Sequence, residues 1–104
     1  MGSNALYNNF SGVNNIALGL SALCNNTTGV NNIAIGCAAL SSTTFGNQLV
    51  ALGTNALKCN TTGCGNVAIG SFALQNNTFG AFNVAQGYMS LMSNTTGCYN
   101  VAIG

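Results

Sequence analysis

Glycine recurs every seventeen residues along this chain, at Gly12, Gly29, Gly46, Gly63, Gly80 and Gly97. A second series with the same period runs through Gly2, Gly19, Gly36, Gly53, Gly70, Gly87 and Gly104, and only Gly65 stands outside both. Alanine holds its place at Ala17, Ala34, Ala51, Ala68, Ala85 and Ala102, and leucine at Leu6, Leu23, Leu40, Leu57, Leu74 and Leu91. A fixed period with unvarying glycines marks a solenoid, whose units are stable only when stacked on their neighbours. Residues 1–104 therefore read as one repeat array, with whole units at 12–28, 29–45, 46–62, 63–79 and 80–96 and partial units at both ends.

Glycine interrupts each unit every seven to ten residues, which leaves no room for an ordinary helix. The runs Ile16-Ala17-Leu18, Ile33-Ala34-Ile35, Val50-Ala51-Leu52, Val67-Ala68-Ile69 and Val101-Ala102-Ile103 alternate large, small, large. That is the period of a strand, with β-branched residues at the positions that suit them. A second short strand is expected around Ala22-Leu23 of each unit, and the Asn-Asn-Thr-Thr-Gly segment reads as a turn. The expected fold is all-β, a parallel β-roll or β-helix of six seventeen-residue rungs. At ~4.8 Å per rung it would span about 29 Å.

Large residues on a strand ordinarily face the core, so the expected core is Ile16, Leu18, Leu23, Ile33, Ile35, Leu40, Val50, Leu52, Leu57, Val67, Ile69, Leu74, Val84, Leu91, Val101 and Ile103. Gln86 would then be a polar residue in a core column, explained only by a local hydrogen bond. The same reasoning turns Ala17, Ala34, Ala51, Ala68, Ala85 and Ala102 outward. An unvarying small residue on an outer face points to close packing against another chain; the alternative is a cramped bend within one chain.

Composition narrows the function. The chain has no Asp, Glu or His, and Lys58 is its only charge. General acid–base catalysis lacks its usual groups, so no enzyme, catalytic residue or cofactor is expected. A carboxylate–imidazole metal site is excluded on the same count. One lysine cannot track a phosphate backbone, so nucleic acid is not an expected partner. Glycine and asparagine break every apolar run before the ~18 residues of a membrane span. The start, Met1-Gly2-Ser3-Asn4, lacks the basic and apolar regions of a secretion signal, which suits a processed chain or one that begins mid-pattern. Strand-forming segments with little charge and no proline favour association.

The segments Asn15-Ile16-Ala17-Leu18-Gly19, Asn32-Ile33-Ala34-Ile35-Gly36, Asn66-Val67-Ala68-Ile69-Gly70 and Asn100-Val101-Ala102-Ile103-Gly104 resemble the head repeats of trimeric autotransporter adhesins, with similar repeats in phage and large-virus tail fibres. The resemblance covers the whole chain. It implies a left-handed parallel β-roll, commonly trimeric, exposed on a cell or virion surface and used for attachment. The seventeen-residue period exceeds the usual spacing of that family and lengthens a turn, and no segment of residues 1–104 reads as the family's stalk or membrane anchor.

Several columns are candidates for function. Thr27, Thr44, Thr61, Thr78 and Thr95 form a ladder of the kind ice-binding solenoids present, although Phe45 and Phe79 interrupt the neighbouring column; local turn chemistry is the simpler account. Asn9, Asn25, Asn26, Asn60, Asn76 and Asn94 begin N-glycosylation patterns, which an asparagine-rich repeat also produces by chance. Asn15, Asn32, Asn66, Asn83 and Asn100, a column broken by Leu49, read as a structural ladder of side-chain hydrogen bonds. Among the cysteines, Cys64 and Cys98 share a column two rungs apart, too far to bridge, and Cys24 and Cys59 are separated by the same gap. Only Cys59 and Cys64 lie close enough along the chain to meet, and the odd count, with Cys37, leaves a thiol free or paired between chains.

These features converge on a non-enzymatic, self-assembling subunit or segment of an extracellular fibre or surface adhesin. Its expected partner is itself, through ladders continued between chains and packed alanine faces. The alternatives are a head that binds surface glycans or a receptor, and an ice-binding solenoid.

Overall fold

The computed structural model describes residues 2–104; Met1, the first residue of the repeat array, lies outside the described residues. Six three-residue strands follow one another: β1 (Ile16–Leu18), β2 (Ile33–Ile35), β3 (Val50–Leu52), β4 (Val67–Ile69), β5 (Val84–Gln86) and β6 (Val101–Ile103). They form one parallel sheet in chain order. Ile16 pairs with Ile33, Ala17 with Ala34 and Leu18 with Ile35, and the same offset of seventeen holds through β6. The result is a β-solenoid of stacked rungs with principal extents of 32 × 20 × 17 Å.

The second strand expected around Ala22-Leu23 does not form. Ser21 and Leu23 have φ of 59° and 51°, and the equivalent Ala38, Leu40, Asn55, Leu57, Phe72, Leu74, Met89 and Leu91 are likewise left-handed. This stretch is a chain of overlapping turns. The Ala22 N–H donates to the Gly19 carbonyl, that of Cys24 to Ser21 and that of Asn26 to Leu23, at 3.2–3.3 Å. The intervening N–H of Leu23 donates to Ala39 in the next rung at 3.0 Å. Backbone polar groups are thus satisfied along the stack without extended geometry, which is the condition for burying them.

The strands also face the other way from expectation. Ala34, Ala51, Ala68 and Ala85 are fully buried and Ala17 nearly so, in one cluster with Ala22, Leu23, Ala39, Leu40, Ala56, Leu57, Ala73 and Leu74. The leucine column is core as expected, with Leu91 partly buried against it. Ile16, Leu18, Ile33, Ile35, Val50, Leu52, Val67, Ile69, Val84, Val101 and Ile103 are not core: they flank each alanine on the outer face and are half-buried or exposed. The alanines therefore cannot be the surface that packs on another chain. Of the two accounts, confinement within one chain is correct for Ala17, Ala34, Ala51, Ala68 and Ala85, while Ala102 in the last rung is half-buried.

The physical cause is the thinness of the rung. Ser90, which stands in the Ala22 column, donates its hydroxyl to the Ala102 carbonyl at 3.2 Å, so that column lies directly against the strand. Little more than a methyl group fits on either side. Glycine closes the strand for a related reason: Gly53 has φ +131°, and a Cβ there would lie 2.6 Å from the Gly70 carbonyl carbon of the next rung. Gly65, outside both glycine columns, adopts φ +70° beneath the Phe82 ring, 2.6 Å from where its Cβ would be.

Candidate functional site: an apolar strand face

Positions flanking the strand alanines form a continuous outer face two residues wide and six rungs long. Eleven of its twelve residues are Ile, Leu or Val, and the twelfth is Gln86. Ile16 is 51% exposed, Leu18 38% and Ile35 39%, while the inner-rung residues Ile33, Val50, Leu52, Val67, Ile69 and Val84 are half-buried by their neighbours along the sheet. Gln86 is exposed and lies outside the core, so no buried partner is needed to account for it. No charged residue stands on this face, since Lys58 belongs to the turn region. Contiguous apolar surface of this kind is uncommon on a monomer beyond a few hundred Å² and marks contact surfaces.

Away from the strand, the rung interior is polar. In the column read as a structural ladder, Asn32, Asn66 and Asn83 are fully buried. The Asn83 and Asn100 amides donate to the Oδ1 of Asn66 and Asn83 at 3.2 and 3.1 Å. Each Oδ1 also accepts a backbone N–H from the rung beyond, as Asn66 does from Asn83 at 2.9 Å. Leu49 interrupts the column but is itself buried and keeps its N–H bonded to Asn32 Oδ1 at 2.9 Å.

A second ladder was missed from sequence, because its asparagines begin glycosylation patterns. Asn26 and Asn60 are fully buried, and their amides are committed: Asn26 to Asn9 Oδ1 at 2.8 Å and the Gly29 carbonyl at 3.1 Å, Asn60 to Thr43 Oγ1 and the Gly63 carbonyl at 3.0 Å each. Asn9 and Asn94 are half-buried, with amides bonded to Gly12 and to Asn77 and Gly97. In the folded chain Asn26 and Asn60 cannot carry a glycan; only Asn25 and Asn76 are exposed sequons. The legible signal was a glycine always three residues on, whose carbonyl the side chain caps.

The threonine ladder is partly turned inward. Thr27, Thr61 and Thr78 donate their hydroxyls to the carbonyls of Thr44, Thr78 and Thr95 in the next rung at 3.3–3.4 Å, so they bond between rungs and not locally within the turn as the simpler account had it. Phe45 and Phe79 are exposed beside them. Cys24, Cys37, Cys59, Cys64 and Cys98 are all free thiols, Cys59 and Cys64 included. Among the described residues no three His, Cys, Asp or Glu side chains gather where a metal could be held. No helix among the described residues is long and apolar enough to cross a membrane.

The chain is a tandem-repeat β-solenoid with parallel stacked rungs. Comparison with protein-family models, with curated proteins and with solved structures finds no match.

Proposed function

We propose that this chain is a non-enzymatic structural repeat that assembles with copies of itself through the strand face, as a segment of an extracellular fibre or surface adhesin. The observation that carries the reading is the uncharged, almost wholly aliphatic outer face of the sheet, from Ile16 and Leu18 to Val101 and Ile103. Burying such a face removes apolar area from water at about 25 cal/mol per Å², and the face holds no charge to desolvate. Its unbroken register suits a second copy that repeats at the same rung spacing. The extracellular setting, the trimeric state and the kinship with trimeric autotransporter heads are supported by the resemblance of the Asn-Ile-Ala-Leu-Gly-type segments.

Multi-angle light scattering tests the reading. The chain is expected to run as a discrete oligomer, and Val67→Lys together with Ile69→Lys to run as a monomer with an unchanged circular dichroism spectrum. A wild-type chain that stays monomeric at tens of micromolar would overturn it.

A further inference from the structure

A groove lies across the turns of the first two rungs. Its volume is about 380 Å³, and it is lined by Asn4, Tyr7, Asn8, Ser21, Cys24 and Asn25. These are three columns read in two successive rungs: Asn4 above Ser21, Tyr7 above Cys24, Asn8 above Asn25. The turn region supplies all of them, and Asn4 and Ser21 take left-handed φ of 63° and 59°. The Asn8 amide donates to Asn25 Oδ1 at 3.1 Å and ties the two rungs across the groove. That bond uses one hydrogen of Asn8 and one lone pair of Asn25, so the pair keeps both donors and acceptors for a ligand. The Cys24 thiol is directed to the Ser41 carbonyl at 3.7 Å.

Tyr7 gives the groove its character. Its ring is 73% exposed, and no other aromatic occupies its column, which continues Cys24, Ser41, Lys58, Gln75 and Met92. An exposed ring beside three carboxamides and a hydroxyl offers an apolar plate ringed by neutral groups that both donate and accept. A phosphate, carboxylate or ammonium ligand would meet no opposite charge there. A pyranose ring matches both features: its C–H face packs on the phenol and its hydroxyls bond the amides. The volume sits at the small end of ligand sites, enough for one or two sugar rings.

We propose that this groove binds a neutral pyranose saccharide. None of its lining residues belongs to the strand face, so the inference stands apart from self-assembly, and the monomeric Val67→Lys, Ile69→Lys chain is expected to bind equally well. The test is a ¹H–¹⁵N NMR titration of bacterially produced protein, in which Asn25 carries no glycan. The probes are methyl glucoside, methyl galactoside, methyl mannoside, N-acetylglucosamine, lactose and cellobiose, with glucose 6-phosphate and sialic acid as anionic contrasts. At least one neutral probe should give saturable shifts at Asn4, Asn8, Ser21 and Asn25, weakened about tenfold or more by Tyr7→Ala. Should Tyr7→Ala disturb the first rung, Asn25→Leu reads the same loss from the other wall. The inference is overturned by no saturable shift with any neutral probe, by equal binding of the anionic sugars, or by undiminished binding in the variants.

Discussion

At the scale of single residues, the asparagines determine most. Two buried ladders of carboxamides run along the stack, and each member is worth more than an exposed asparagine because its loss strands neighbours above and below. Asn77 donates to Asn60 Oδ1 at 2.9 Å and to the Gly80 carbonyl at 3.1 Å, and accepts from Asn94 at 2.9 Å. Asn77→Ala should therefore cost about 2–4 kcal/mol in urea denaturation, while Asn76→Ala, one residue away and exposed, should cost under about 0.5 kcal/mol. The ladder has one defect: Asn26 Oδ1 is buried with no hydrogen-bond partner. The next rung has Thr43 in that column, and its hydroxyl donates to the Asn60 carbonyl instead. Thr43→Asn should supply an amide that reaches Asn26 Oδ1 and the Gly46 carbonyl, as the Asn77 amide two rungs on reaches Asn60 Oδ1 and the Gly80 carbonyl. It should raise stability by about 1 kcal/mol, seen as a higher melting temperature. In a glycosylating host, mass spectrometry of the folded protein should find glycans at Asn25 or Asn76 alone, since occupancy at Asn26 or Asn60 requires the ladder to open.

At the scale of the strand, the sequence pattern located the six strands, added a second strand around Ala22-Leu23 that does not form, and misassigned the faces. The alternation Val67-Ala68-Ile69 is that of a strand and the register follows directly from the period, both as found. Which side faces in depends on how much space the opposite wall leaves, and that wall was not legible. It is built from Ala56, Leu57, Ala73 and Leu74, with both leucines at positive φ, a conformation costing about 1–2 kcal/mol that carries no signature in residue type. An extended wall would have left room for Val67 and Ile69; the compact turn chain leaves room for Ala68. The consequence is an inverted sensitivity to substitution. Ala68→Val should lose about 1–3 kcal/mol through overpacking against a wall that cannot move. Val67→Ala should lose less than about 1 kcal/mol when measured below the concentration at which chains associate, because Val67 is only half-buried. Equal losses from the two would mean that the faces are as the sequence pattern alone had them.

For the whole molecule, each rung touches only its neighbours, so stability should be close to a sum over rungs and interfaces. Removing residues 46–62 joins Phe45 to Gly63 and leaves every column in register. It also takes out Leu49, so that Asn32 comes to lie beside Asn66 and the first asparagine ladder runs unbroken. The shortened chain should fold, melt in one transition at a lower temperature, and measure about 4.8 Å less along the stack by small-angle scattering. Removing residues 46–54 instead sets the strand of one rung against the turns of the next. Large side chains would then meet the glycine positions, where even a Cβ has no room, and that chain should not fold. The comparison isolates register from length: the larger deletion is the harmless one. If both deletions unfolded the protein alike, the rungs would not be interchangeable units, and its stability would have to reside in contacts particular to the third rung.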